Sequence, residues 1–167
     1  MGTRVRQPPI VDAAGFRRAL GRHAAGVVVV TGPGPAGLTA TSLTSVSLDP
    51  PLVSFCVSRD STTWPDLREA EFFAVNVLAG DQAAVAARFA DRGIDRFGSP
   101  TSWRTGPYDV PILGGVAAHL LCEPYDTIAL GDHWLVVGLV IGSELGQSVE
   151  PLLYHHGRYG AFVPHLR

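Results

Sequence analysis

Apolar residues fall into short runs along the chain, and the runs carry two different periods. Val27 to Thr31, bounded by Gly26 and Gly32, is an unbroken β-branched stretch and predicts a strand. Leu52 to Val57, Phe72 to Leu78, Ala117 to Ala129, Trp134 to Ser143 and Gly157 to Val163 give five more strand-like segments. Helical spacing shows in three places. Asp12 can cap a helix running to His23, with Phe16 and Leu20 on one face. Thr62 or Thr63 can start a second, with Pro65 early and Leu67 inward. Gly80-Asp81 opens a third, Gln82 to Ala90, with Val85 and Phe89 one turn apart.

The remaining segments connect these elements. Gly32 to Gly37 reads as a turn, and Leu38 to Leu48 as extended or loosely ordered chain ended by Asp49-Pro50-Pro51. Residues 91–114 show no period and read as loop. No helix falls between the last three strands, so alternating β-α units are excluded and a closed or nearly closed antiparallel barrel is expected. No repeat or linker divides the chain, and one domain over residues 1–167 is expected, with its core at about 14–163.

Gly32-Pro33-Gly34-Pro35-Ala36-Gly37 satisfies G-x-G-x-x-G after a strand. The dinucleotide reading fails on mechanism. The third glycine should open a helix whose N-terminus faces a diphosphate. Instead it leads into LTATSLTSVS, whose β-branched and hydroxyl residues disfavour helix, and two prolines remove amide donors.

Composition narrows the function. Net charge is −2, which leaves no electrostatic footprint for nucleic acid or an anionic membrane. No window approaches 18 apolar residues and the N-terminus shows no signal core, so a cytoplasmic chain with reduced cysteines is expected. Cys56 and Cys122 lie in apolar runs and read as two core thiols. The histidines lack metal-ligand spacing, so no metal site is expected.

The stretch Gly37 to Thr63 carries eleven Ser and Thr residues, ten of them around an apolar strand, and only three charges, Asp49, Arg59 and Asp60. Thr and Ser also tolerate extended backbone for purely structural reasons. However, Ser61-Thr62-Thr63 sits at a predicted helix start beside Arg59, and an apolar strand joins the two polar patches. Neutral hydroxyls beside a phosphate-attracting end suit a flat, polar-edged heterocycle with a phosphate tail.

At these residues the chain resembles the flavin reductase-like family of FMN-binding split barrels. The resemblance spans roughly residues 14–163 and rests on FRRALGRHAAGVVVVT, GLTATSLTSVSLDPPLV, FFAVNVL, the Gly131-Asp132-His133 motif and PLLYHHGRYG. It implies a mainly β, six-stranded antiparallel Greek-key split barrel with flanking helices, forming a homodimer. It implies FMN or FAD as the flavin and NADH or NADPH as hydride donor. By motif match, Ala40, Thr41, Ser42 and Leu43 would follow the isoalloxazine edge and ribityl chain, and Ser45 would face the redox centre. Cys56, Val57, Ser58, Arg59, Ser61, Thr62 and Thr63 would wrap ribityl and phosphate, and Phe89 would close the pocket. His133, with Arg158 and Tyr159, would approach the nicotinamide nucleotide, His133 as an orienting or proton-sharing group. Family members often carry Asn near Thr41, where this chain has Thr.

The implied activity is NAD(P)H-dependent flavin reduction supplying a partner flavin-dependent monooxygenase with diffusible reduced flavin. The alternative is an FMN-binding electron carrier without NAD(P)H turnover. A pyridoxamine phosphate oxidase-type activity ranks last, because it needs a second cationic clamp and arginines are sparse in the expected groove.

Overall fold

The computed structural model describes residues 11–165; the N-terminal ten residues, which show no signal core in the sequence, lie outside the described part. In chain order the elements are α1 (Ala13–Leu20), β1 (Ala25–Gly26), β2 (Val28–Gly32), β3 (Ala36–Ala40), β4 (Thr44–Leu48), β5 (Pro51–Ser58) and α2 (Trp64–Arg68). Next come β6 (Phe73–Val77), α3 (Ala83–Ala90), β7 (Trp103–Thr105), β8 (Pro111–Leu113), β9 (Ala118–Leu130), β10 (His133–Leu145), β11 (Leu152–His155) and β12 (Arg158–Ala161).

Seven strands form an antiparallel sheet in the order β3-β2-β6-β9-β10-β5-β4. Its two end strands, β3 and β4, are joined by only Thr41, Ser42 and Leu43. Four Cα steps reach at most about 14 Å, whereas the end strands of a flat seven-stranded sheet would lie about 29 Å apart. The sheet must therefore curl until its ends meet. The seam is pinned where the amide of Cys56 donates to the Ser42 hydroxyl at 2.8 Å. The mainly β barrel thus matches the expected class, with short strands beyond the six long segments.

Both faces of β2 are buried, which explains its unbroken apolar run. Val28 and Val30 join Leu38, Phe55, Phe73 and Val136 inside the barrel. Val27 and Val29 face outward onto Leu78, Ala86 and Phe89, under α3. Asn76 is the polar hub between layers: its amide donates to Val29 O at 2.9 Å and Thr31 Oγ1 at 3.0 Å, and its carbonyl accepts from Leu113 N at 3.0 Å.

Several expectations need correction. Of the two readings for segment 38–48, extended chain is the one found, as β3 and β4 on either side of Thr41–Leu43, and the loosely ordered one is not. The segment 91–114 contains the β7–β8 hairpin, whose three-residue strands are too short to show a period. Cys122 is buried, and desolvation pushes its thiol up to about 12. Cys56 is exposed, not a core thiol, because strand alternation turns Phe55 and Val57 inward and Cys56 out. The turn reading of Gly32–Gly37 agrees with the β2–β3 hairpin, in which Gly32 pairs with Ala36. Helix α1 ends at Leu20 rather than His23; the Asp12 carboxylate caps it by accepting from Gly15 N at 2.6 Å.

Candidate functional site

A groove of about 400 Å³ opens where the sheet ends meet. One wall is β3 and the connection after it: Leu38, Thr39, Ala40, Thr41 and Ser42. Because β3 ends the sheet, one side of its backbone has no ladder partner, leaving main-chain groups for a ligand. The opposite wall is Cys56, Val57 and Ser58 of β5, continuing into Ser61, Thr62 and Thr63. Phe89 and Ala90 of α3 close the base, and His133 stands at the rim.

Gly37 lets this corner close. A Cβ there would lie 2.6 Å from the Phe89 ring and 3.2 Å from Phe97. Without one, Phe89 packs against the β3 backbone and meets Phe97 edge-on at 5.1 Å.

The cationic end of the groove is Arg92 and Arg96, which the sequence reading missed. They come after α3 in the aperiodic segment, and two arginines four residues apart ahead of Phe97 were the available signal. Arg96 Nη1 donates to Gly37 O at 2.9 Å and Thr63 Oγ1 at 2.5 Å; Nε donates to Asp91 O at 3.0 Å, and Nη2 also reaches Asp91 O. Arg92 makes a single side-chain hydrogen bond, a long one to Asp60 O at 3.3 Å. Among the described residues neither guanidinium has a carboxylate within 4.0 Å, so both positive charges stay uncompensated.

Helix α2 contributes little charge, having five residues. Its first amide is met by Ser61, whose hydroxyl accepts from Trp64 N at 3.3 Å. Arg59 turns away and lies over Trp134, 5.1 Å from the ring centroid.

The Gly131-Asp132-His133 motif has a mechanical reading. Leu130 pairs with His133 across a two-residue hairpin. Gly131 has φ +57° at the first central position, as a type II′ turn requires. His133 therefore opens β10 opposite Ser58, at the groove. Its Nδ1 lies 2.7 Å from Asp132 Oδ1. A carboxylate only accepts, so Nδ1 carries the proton and Nε2 of the neutral ring keeps its lone pair. The hydrogen bond donated by His133 holds the Asp132 carboxyl below its ordinary value.

The structure brings together Ala40, Thr41, Ser42, Cys56, Val57, Ser58, Ser61, Thr62, Thr63, Phe89 and His133. It places the other expected residues elsewhere. Leu43 lines a neighbouring cavity beside α1. Ser45 is exposed on β4, paired with Val53. Arg158 and Tyr159 lie on β12 along a separate hollow, with Tyr159 packed on Tyr154 at 5.4 Å.

The described residues contain no group of three or more metal-ligating side chains. No helix among them is long and apolar enough to cross a membrane.

Comparison with known proteins identifies the relatives of this chain. A 41% identical relative is an NADH:FMN oxidoreductase of Rhodococcus erythropolis, over 89% of this chain and 81% of that one. A reductase subunit of a flavin-dependent monooxygenase from Rhodococcus jostii is 35% identical, over 92% and 80%. The solved NADH:FAD oxidoreductase of Streptomyces globisporus C-1027, in complex with NAD and FAD fragments, superposes with a TM-score of 0.86 at 38% identity, covering 92% of this chain and 94% of that one. With the flavin reductase like domain matched over residues 20–162, the chain belongs to the flavin reductase-like family.

Proposed function

We propose that the protein, as one catalytic domain, uses NADH or NADPH to reduce FMN or FAD and releases the reduced flavin to a partner flavin-dependent monooxygenase. The observation that carries this is the groove itself: an unladdered strand edge and neutral hydroxyls along its walls, and two uncompensated guanidinium groups at one end. That donor set fits a heterocycle with a polar edge, a hydroxylated chain and a phosphate. When bound, the flavin supplies the hydride-accepting chemistry.

The chain's own residues bind and orient. The β3 edge and the Thr41–Ser42 connection offer hydrogen bonds to the ring edge, where developing negative charge needs them. Ser58, Ser61 and Thr62 face the hydroxylated chain. Arg92, nearly free of protein partners, reaches for phosphate. His133 presents Nε2 as an acceptor for a nicotinamide carboxamide N–H, its ring orientation held by Asp132.

A homodimer in the cytoplasm completes the reading. Phe16 and Leu20 on α1 are 55% and 52% exposed, and Val46 and Leu48 on edge strand β4 are 52% and 90% exposed. Such apolar surface beside the groove fits cover by a second copy. The test is NADH and NADPH oxidation with FMN, FAD and riboflavin each supplied. Continuous turnover is expected with at least one phosphorylated flavin; tight flavin retention with no nucleotide oxidation would point to a carrier instead.

A further inference from the structure

Arg96 and Arg92 line the same end of the groove, yet their bonding differs. Arg96 donates once from Nε, twice from Nη1 and once from Nη2, so four of the five guanidinium N–H groups are already spent on the protein. The acceptors belong to three different walls: Gly37 O on β3, Thr63 Oγ1 before α2, and Asp91 O after α3. Its own carbonyl is held by Thr101 Oγ1 at 2.7 Å, which fixes the loop it stands on. Arg92 has one long hydrogen bond and is otherwise available.

We propose that Arg96 is a positioning residue for flavin reduction, clamping the β3 edge, the Thr63 turn and the post-α3 loop at the spacing a flavin needs, while phosphate recognition belongs to Arg92. This rests on the reductase reading and adds the residue that assembles its site. By donating to the Thr63 oxygen, Arg96 leaves the Thr63 hydroxyl proton available for another acceptor. The forked geometry is required. Lysine keeps the charge but cannot span three walls.

Quenching of flavin fluorescence gives dissociation constants for FMN and riboflavin with wild type, Arg96→Lys, Arg96→Met and Thr63→Val, alongside thermal melts and kcat at saturating flavin. A positioning role predicts that Arg96→Lys and Arg96→Met both weaken FMN and riboflavin about tenfold, with kcat at saturation within about twofold. Thr63→Val should weaken both flavins severalfold, and Arg96→Lys/Thr63→Val should be little worse than Arg96→Lys alone. Should Arg96→Met fail to fold, Arg96→Lys and Thr63→Val carry the same comparison. Wild-type affinity in Arg96→Lys overturns the proposal, since charge alone would then suffice. Loss confined to FMN overturns it too, by making Arg96 a phosphate ligand. A wild type that binds neither flavin defeats the reductase reading and this inference together. A wild type that binds both while Thr63→Val is unaffected defeats only the inference.

Discussion

Of the hollows that contain arginine, two make an instructive pair, and only one of the pair is built like a binding site. The larger, about 670 Å³, lies between the β7–β8 hairpin and the end of β10. Its Arg104 is 3.2 Å from Glu144, and both side chains are more than half exposed. Its charge is compensated at the surface. The groove where the sheet ends meet is smaller, yet its arginines face no carboxylate and its walls are tied by side-chain hydrogen bonds. Uncompensated charge on a rigid frame, not volume, distinguishes a site from a gap.

The contrast breaks most readily at Gly37. Gly37→Val would drive a side chain into Phe89, costing about 1–3 kcal/mol of stability and at least tenfold in FMN affinity, read by thermal melting and FMN titration. Next in size, Arg92→Ala should weaken FMN and FAD about tenfold and leave riboflavin unchanged, in line with loss of a charge-assisted hydrogen bond of about 1.5–3 kcal/mol; equal loss for riboflavin would remove Arg92 from the phosphate.

The two thiols extend the comparison to pH. Cys122 keeps its proton to about pH 12 when folded, while an unfolded thiol ionises near 9. The folded pKa is the higher one, so this contribution is whole below pH 9 and is lost progressively from about 9 to 12. At pH 10 that amounts to about 1 kcal/mol, so Cys122→Ala should flatten the alkaline fall in denaturant midpoint. Cys56, exposed in the groove, should react with a thiol reagent in the native protein and be shielded by FMN.

His133→Ala should raise the KM for NADH severalfold while flavin affinity changes less; unchanged nucleotide kinetics would take His133 out of the site. The smallest effect belongs to the other hollow: Arg104→Ala should alter stability by less than about 1 kcal/mol and leave flavin binding untouched.

Contiguity decided how much of the site was legible in the sequence. Ala40–Ser42, Cys56–Ser58 and Ser61–Thr63 sit in one hydroxyl-rich stretch, and Phe89 lies on a helix with a clear period. Arg92 and Arg96 escaped notice because the chain after α3 has no period, and arginines there look like solvated loop charges. The barrel was readable from strands without intervening helices. The β7–β8 hairpin was not, because Trp103–Thr105 is exposed throughout and carries no alternation. Arg59 misled for a local reason: adjacency to the Ser61–Thr63 cluster says nothing of side-chain direction, and Trp134 offers a nearer face.

The three-residue link from β3 to β4 has one more implication. Two of the three residues that join the ends of the cylinder, Thr41 and Ser42, also line the crevice, so on the proposed reading a chain whose seam has parted would have nowhere to seat the dye. Ligand uptake and seam closure then become one equilibrium. Flavin at a hundred times its dissociation constant would lend the native state about 2.7 kcal/mol, and a shift in melting temperature with added FMN would report on the seam itself.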